Sequence, residues 1–251
     1  MYLAEFLNDF LSRMAQTSHS IEAITALSPF SQASVWHETR RRYQYYGLAD
    51  FLKFSLYALT NKILSLLFRK FPSVGCHSLS NVVAKYKIKR LDTVSINDYY
   101  FIGYVRKNQI DLVVSIAAPQ LFEKELLSLP KKGCINYHSA LLPKYRGRQP
   151  LFWALLNGEK EVGISIHEMD EELDNGPTIV QERIPVSPAD SLHSLYLKTI
   201  QVGPQLLIKA IQILDENNPA RIKNDRTQAT AYRFPTREDA RKFKLKGERF
   251  F

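Results

Sequence analysis

The hydrophobic pattern of the chain is a series of short apolar runs separated by helical and turn-rich segments. Residues 111–117 form a continuous run rich in β-branched side chains, which is typical of a strand buried on both faces of a parallel sheet. Similar runs predict strands at residues 134–138, 163–168 and 178–186. Strands that alternate with helical segments indicate an α/β fold, with an open, mostly parallel sheet and helices on both faces.

Apolar residues at helical spacing predict helices at residues 2–14, 80–90, 151–156 and 191–215. The last of these is expected to start at a capping Asp190 or Ser191. Within it, Gly203 followed by Pro204 is expected to kink or divide the helix.

Composition is that of an ordinary soluble globular protein, with 45% hydrophobic and 24% charged residues. The two cysteines form no disulfide framework or metal-site spacing, and no signal peptide is recognisable, so we expect a cytoplasmic protein without a metal. The net charge is +9, and residues 221–251 carry ten Lys or Arg against four Asp or Glu. Such a tail suits phosphate or nucleic-acid contact, but a solvated, disordered tail over residues 216–251 is the preferred interpretation.

Polar groups collect at the end of the run at residues 134–138. Asn136 and His138 are two residues apart, so a strand projects them from the same face. A turn-rich loop at residues 139–150 follows, and an acidic loop after the next strand carries Asp174. An amide, an imidazole and a distant carboxylate at strand ends are a set that acyl-transfer chemistry uses.

These blocks resemble the formyltransferase family that uses 10-formyltetrahydrofolate, with members acting on methionyl-tRNA, glycinamide ribonucleotide and amino sugars. The resemblance is carried by Asn136-x-His138, by Ser139-Ala140-Leu141-Leu142-Pro143-x-x-Arg146-Gly147, and by Leu173-Asp174-x-Gly176-Pro177. It is clear from about residue 111 to residue 214. It implies a formyltransferase, Rossmann-like fold over residues 1–215 and transfer of a formyl group to an amine.

The resemblance also assigns roles to residues. Asn136, His138 and Asp174 are the expected catalytic residues. A protonated His138 and the amide of Asn136 would hydrogen-bond the developing oxyanion, and Asp174 would orient His138 and help remove a proton from the amine. His167 is a weaker candidate for the pocket.

The formyl donor, 10-formyltetrahydrofolate, is expected to act as a co-substrate. The residues expected to bind it are Ala117, Ala118, Pro119, Gln120, Leu121, Asp170 and Leu173. Ser139 and Arg146 are the expected contacts to the acceptor, with Arg148 as a further candidate.

The resemblance leaves the class of acceptor open. A small primary amine, such as an amino sugar, is preferred; methionyl-tRNA and glycinamide ribonucleotide are alternatives, although nucleic-acid binding is not expected. Hydrolysis of the formyl group is a different activity that the same folate site would support. A scaffold that keeps the pocket without turnover is the non-enzymatic alternative.

Two segments depart from the family pattern. The chain begins with a predicted helix followed by a strand at residues 21–27, whereas the family fold begins with a strand. The first strand is therefore expected to be missing, either because it has been lost or because the start codon is assigned too late. Residues 31–71 are interpreted as a helical insertion. In residues 51–71, Lys53 and Lys62 argue against a membrane span. We expect this segment to cover an apolar surface within one subunit or between two, as in a homo-oligomer; contact with a membrane surface is the alternative.

Overall fold

A computed structural model of the chain describes residues 3–27, 35–68, 77–216 and 220–251. The strands are β1 Ala23–Thr25, β2 Lys89–Leu91, β3 Val113–Ile116, β4 Cys134–His138, β5 Arg146–Gly147, β6 Glu161–Glu168, β7 Thr178–Pro185 and β8 Ala231–Tyr232. The helices are α1 Leu3–Met14, α2 Val35–Leu67, α3 Leu79–Tyr86, α4 Tyr99–Lys107, α5 Lys124–Ser128, α6 Pro150–Leu156, α7 Leu192–Asp215 and α8 Arg237–Leu245.

The larger sheet has four strands in the order β3-β4-β6-β7, and two smaller sheets pair β1 with β2 and β5 with β8. The predicted α/β fold is therefore confirmed. The four-stranded sheet is mixed: β3 and β4 are parallel, whereas β6 is antiparallel to both β4 and β7. The short connection through α6 returns the chain beside β4 in the opposite direction, and this reversal explains the difference from a mostly parallel sheet.

The predicted helix at residues 80–90 is too long. The observed helix α3 ends at Tyr86, and Lys87 adopts a left-handed conformation with φ of 53° that closes the helix. The chain then extends into β2, so residues 89 and 90, which were predicted to be helical, belong to a strand. By contrast, α7 runs unbroken through Pro204, and Ser191 caps it as predicted.

Helices cover both faces of the sheet. On one face α1 packs against α7, and the ring of Phe6 meets Tyr137 of β4 edge-on at 4.9 Å. On the other face α4 and α5 bury Phe101 and Leu126 in a second apolar cluster with Cys134 of β4. These layers fix the strand from which the candidate site residues project.

The prediction of a disordered basic tail is wrong for the described part of residues 216–251. Strand β8 pairs with β5, and α8 buries Phe243 against Phe152 with ring centroids 4.7 Å apart. Near the end of the chain, Phe250 is also buried in this cluster. The charged residues lie on the outer side of this amphipathic carboxyl-terminal segment. Its few large apolar residues are mainly aromatic, and these are the ones that pack against the body of the protein.

The predicted insertion at residues 31–71 is helical over α2, and residues 31–34 and 69–71 lie outside the described residues. Gly47 has non-helical dihedral angles and divides α2 into two halves. In the first half, Tyr45 is buried against Phe152, and the Arg41 guanidinium lies 4.3 Å from the centroid of the Phe234 ring. No helix among the described residues has the length and apolar character needed to cross a membrane.

A cavity of about 630 Å³ separates the β1–β2 pair from the four-stranded sheet. Its lining includes β1, β3 and the inner face of α1. Each of the two strands is hydrogen-bonded on one edge only, β1 to β2 and β3 to β4, among the strands that the structure describes. The two facing edges therefore present backbone N–H and C=O groups to the cavity.

Candidate active site

Strand pairing assembles the site. In the parallel pair, Ser115 of β3 lies beside Asn136 of β4, so the loop that begins at Ala117 leaves the sheet level with His138. In the antiparallel pair, Asn136 lies opposite His167 of β6. Directly opposed residues share a face of the sheet, so both histidines and the amide point to the same side.

Asp174 is the centre of this group. Its Oδ1 accepts a hydrogen bond from Asn136 Nδ2 at 3.1 Å, and its Oδ2 accepts one from the backbone N–H of Gly147 at 2.8 Å. Nδ1 of His138 lies 3.6 Å from Oδ2, and Nε2 of His167 lies 3.5 Å from Oδ1. Asp174 itself has φ of 48°, a left-handed conformation that is uncommon outside glycine and clusters at functional sites.

Hydrogen bonding fixes the roles of Asn136 and His167. Nδ1 of His167 lies 2.7 Å from the carbonyl oxygen of Glu168 and must donate to it, which leaves Nε2 as an acceptor in the neutral ring. Nδ2 of Asn136 lies 3.2 Å from that Nε2 and donates to it. Both amide hydrogens of Asn136 are therefore engaged, one with His167 and one with Asp174. In this arrangement Asn136 positions the carboxylate, and the predicted donation to an oxyanion requires one of these bonds to open.

His138 is 7% exposed and is held by a backbone group. Its Nε2 lies 2.8 Å from the carbonyl oxygen of Tyr145, to which it donates, so Nδ1 carries the lone pair of the neutral ring. Burial lowers the pKa of His138 below its usual value, although the Asp174 carboxylate and the Tyr145 carbonyl act in the opposite direction. The resting ring of His138 is thus neutral near pH 7, so the protonated form on which the predicted oxyanion contact depends is not its resting state.

Asp174 is ionised over the whole neutral range. Burial alone would raise its pKa, but the proximity of His167 and His138 and the hydrogen bond from the Gly147 N–H together lower the pKa of Asp174 to about 2. A carboxylate with this pKa accepts hydrogen bonds and cannot serve as the resting proton donor. The site therefore holds one permanent negative charge beside two imidazoles.

The loop between β4 and α6 is held from two sides. The buried Ser165 hydroxyl, on β6, donates to the Ala140 carbonyl at 2.6 Å and accepts from the Leu142 N–H at 3.1 Å. On the other side, β8 pairs with β5, and the ring of Tyr145 stacks on Tyr232 at 5.4 Å. The carboxyl-terminal segment thereby positions the Gly147 N–H that binds Asp174, a contribution that the basic composition of the tail did not signal.

The predicted acceptor residues separate in the structure. Ser139 lies beside the Tyr137 hydroxyl, which donates to the Thr199 carbonyl of α7, so Ser139 does not share the face of Asn136 and His138. Arg146 lies on β5, and its Nε and Nη2 atoms are buried without a hydrogen-bond partner among the described residues. Arg148 is exposed. Buried guanidinium nitrogens without a partner are costly, and an anionic or carbonyl ligand would remove that cost.

The residues predicted to bind the folate also fall into two groups, those that line the cavity and those whose side chains already bond to the protein. Ala117, with φ of 54°, lines the large cavity together with Ala118 and Pro119. The Gln120 side chain is committed to the protein: it accepts from the Ile96 N–H and donates to the Val94 carbonyl.

In the acidic loop, the Asp170 carboxylate likewise accepts from the Glu172 N–H and the Asn175 amide. Leu121 and Leu173 are exposed. The described residues contain no group of three or more His, Cys, Asp or Glu side chains arranged to hold a metal ion.

His167 and Ser165 are the site residues that sequence reasoning ranked low or missed. Their signal was present in the alternation of residues 163–168, which places them on one face of a strand. The sequence does not show which residues they contact, because that depends on the antiparallel register with β4, which pairs His138 with Ser165.

Comparisons with known proteins agree with this architecture. The formyl transferase family model matches residues 76–211. The methionyl-tRNA formyltransferase of Desulforamulus reducens is 36% identical over 58% of this chain and 46% of its own length. The chain spans about half the length of the curated relatives it matches.

Solved structures give the same picture. A 4-N formyltransferase from Francisella tularensis is 26% identical over 67% of this chain and 61% of its own, with a TM-score of 0.50. The phosphoribosylglycinamide formyltransferase from Bacillus halodurans covers 86% of this chain and 93% of its own with a TM-score of 0.59; at 19% identity it shows the fold alone. With its family match across more than half of its residues, and with the α/β architecture just described, this chain belongs to the formyl transferase family.

Proposed function

We propose that this protein transfers a formyl group from 10-formyltetrahydrofolate to a primary amine. The observation that carries the proposal is the position of His138 Nδ1 and Asp174 Oδ2, 3.6 Å apart in a buried site at the sheet edge. With His138 neutral and Asp174 ionised, both atoms are acceptors, so together they bind an N–H donor or a released proton. An amine that attacks a formyl carbon must lose a proton at this point of the reaction.

The residues available to the folate are those at the carboxyl end of β3. Ala117, Ala118 and Pro119 are small, and the left-handed turn at Ala117 exposes backbone groups beside His138. Leu121 and Leu173 are exposed apolar side chains suited to a flat ring. The engaged side chains of Gln120 and Asp170 are assigned to shaping their loops rather than to direct binding. This set fits a planar ligand held by apolar contact and backbone hydrogen bonds.

The folate supplies an activated formyl group whose carbon–nitrogen bond breaks as the new carbon–nitrogen bond to the amine forms. In the overall transfer one proton leaves the amine and one joins the folate nitrogen. His138 accepts the first through Nδ1, stabilised by the carboxylate of Asp174, and can return it to the leaving nitrogen. Asn136 and the Gly147 N–H hold Asp174 in place, and an Asn136 hydrogen released from His167 is available to the formyl oxygen as negative charge develops.

Arg146 is assigned to the recognition of substrate. Arg146 directly precedes Gly147, whose N–H binds Asp174, and two of its guanidinium nitrogens have no hydrogen-bond partner among the described residues. Guanidinium groups bind carboxylates and phosphates through paired hydrogen bonds. The acceptor or the folate would thus bring an anionic or carbonyl group to this side chain.

The preferred acceptor is a small primary amine, of which a nucleotide-linked amino sugar is one example. The similarity to a 4-N formyltransferase structure supports transfer to a nitrogen atom. Methionyl-tRNA is the second candidate, because the curated relatives with 34% to 36% identity carry that name. Both acceptors are anionic outside the amine, which suits a chain with a net charge of +9.

The test incubates the protein with 10-formyltetrahydrofolate and three sets of acceptors: amino-sugar nucleotides, glycinamide ribonucleotide and methionyl-tRNA. Tetrahydrofolate release and formylated product are measured together. Product that requires an amine supports transfer, and its identity chooses the acceptor. Folate release at an equal rate without an amine indicates hydrolysis instead. If neither product nor release occurs while the folate binds, the protein is a binding scaffold and the proposal is wrong.

A further inference from the structure

The second half of α2 carries an apolar stripe that faces outward. The side chains of Leu52, Leu56, Leu59, Ile63 and Leu66 are between 48% and 64% exposed. We call these five residues the α2 stripe. Large exposed apolar patches on a soluble protein mark interaction sites more often than chance.

The inner side of the same helix already contacts the body of the protein. Tyr57 meets the ring of His193 on α7 at 6.0 Å. Ser65 donates to the Ser78 hydroxyl at 2.8 Å, and the Asn81 amide of α3 donates to the Ser65 carbonyl. This half of α2 is thus fixed on the surface, and its orientation presents the stripe outward. A helix that is apolar on both faces is normally covered on both.

The spacing of the stripe identifies the kind of partner. Successive members are four, three, four and three residues apart, which is the a/d spacing of helices that pack side by side. A helix that lies on a membrane has a different character, with one apolar face and an opposite face rich in Lys and Arg. Here the opposite face packs on protein, and Lys53 and Lys62 are the charged residues of positions 51–67. The stripe therefore fits a second helix better than a bilayer.

The stripe is also nearly symmetric about Leu59. In an antiparallel pair centred on this residue, Leu59 meets its own copy, Leu52 meets Leu66, and Leu56 lies within one residue, about 1.5 Å along the axis, of Ile63. Lys53 then lies level with Ser65 of the other copy, and Lys62 lies level with Leu56, so no two lysines face each other. A self-complementary patch is what a two-fold symmetric interface requires.

We infer that two copies of this chain associate through antiparallel pairing of their α2 stripes, over a helix length of about 20 Å. The pairing would cover the apolar face of the insertion between subunits. The candidate active site residues are not part of the stripe, so association through it leaves the site of each subunit intact.

The first experiment measures molar mass in solution over a protein concentration series by light scattering or sedimentation. The wild-type protein is expected to be a dimer that dissociates on dilution. Leu59→Lys places two ammonium groups together on the symmetry axis and is expected to raise the dissociation constant by at least 10-fold. Leu245→Lys, at a leucine on α8 that is 76% exposed against 53% for Leu59, is the matched control and should leave the dimer unchanged. The melting temperature of each variant checks that it is folded.

The second experiment determines the direction of pairing by disulfide trapping in a Cys76→Ser background, since Cys134 is buried. Leu59→Cys is expected to cross-link to its own copy. A mixture of Leu52→Cys protein with Leu66→Cys protein should also cross-link, whereas Leu52→Cys alone should not. Cross-linking of Leu52→Cys alone would show a parallel arrangement and would overturn the antiparallel assignment.

Two outcomes would overturn the interface as a whole. One is a monomer throughout the concentration series, or a dimer that Leu59→Lys does not weaken. The other is binding of the monomer to vesicles of anionic phospholipid that Leu59→Lys abolishes, which would assign the stripe to a membrane surface.

Discussion

Nδ1 of His138 lies 3.6 Å from Oδ2 of Asp174, and the opposite nitrogen of the same ring donates to the Tyr145 carbonyl. The backbone contact fixes the tautomer, so the free lone pair of the imidazole faces a carboxylate. This relationship makes the pair an acceptor of one shared proton and underlies the predictions about activity.

Replacement of His138 by alanine is expected to slow the chemical step by roughly 10²-fold, because the base that accepts the amine proton is lost. In the wild-type protein kcat/KM should fall only at acidic pH, below the ordinary histidine value near 6.5, because burial lowers the pKa of His138. Single-turnover rates across pH 5 to pH 8 check both points. Unchanged turnover by a folded His138→Ala protein would assign the ring to structure alone.

Asp174 should make the folded state sensitive to acid. Its pKa is lowered to about 2 in the folded protein, against about 3.9 in an unfolded chain, so its contribution to stability is complete above pH 4 and is lost as the pH falls toward 2. The linked free energy is about 2–3 kcal/mol. Urea unfolding of wild type and Asp174→Asn between pH 2 and pH 6 checks this. The difference between the two proteins should shrink with falling pH, and a constant difference would contradict the lowered pKa.

Gly147 connects the carboxyl-terminal segment to the site. It has φ of 91°, and a Cβ at this position would collide with the backbone carbonyl oxygen of Tyr232. Gly147→Ala should therefore separate β5 from β8, move the N–H that binds Asp174, and reduce both stability and turnover, with a stability loss of about 1–3 kcal/mol.

The matched control is Gly158→Ala, at a glycine with φ of 75° and open space around its Cβ position. It shares the unfavourable dihedral angle without the collision, so it should cost about 1 kcal/mol and keep normal turnover. Melting temperature and turnover measured on both proteins separate the two effects. Equal losses in the two variants would show that β8 does not position the site.

Replacement of Arg146 is expected to affect stability and ligand binding differently. Its unpartnered buried nitrogens contribute a desolvation penalty without a compensating bond. Arg146→Ala should accordingly melt at the same temperature or higher, while KM for the acceptor or the folate rises at least 10-fold. Titration of each ligand against wild type and variant identifies which one is affected. Loss of stability with unchanged KM would assign the side chain to the fold.

The sequence predicted the parts of the site that depend on local pattern. Asn136 and His138 follow from alternation within one strand, and the position of Asp174 follows from the family resemblance. The sequence could not predict contacts that depend on strand register or on distant segments. These contacts are His167 opposite Asn136, Ser165 beneath the loop, and β8 beside Gly147. The tail was misjudged because charge dominates its composition, while Phe243 and Phe250 decide its packing.

The cavity between β1 and β3 carries the last prediction. Among the strands that the structure describes, neither facing edge has a hydrogen-bonded neighbour, and α1 lines the same space. An extended segment that paired with both β1 and β3, at the usual strand spacing of about 4.8 Å from each, would join the two sheets and satisfy both edges. Each buried group that gains a partner avoids a penalty of about 1–3 kcal/mol.

We therefore expect that an extension of about 10 residues ahead of α1, comprising an apolar strand and a glycine-containing turn, stabilises the protein. A gain of 1 kcal/mol raises the melting temperature of a domain of this size by about 2–4 °C, so several pairs should give a clear increase. The control extension has the same length with alternating Lys and Asp, which cannot be buried. Because the carboxyl end of such a strand lies near ligands in open α/β sheets, turnover should rise as well. Identical melting for both extensions would mean that this cavity does not accept a strand.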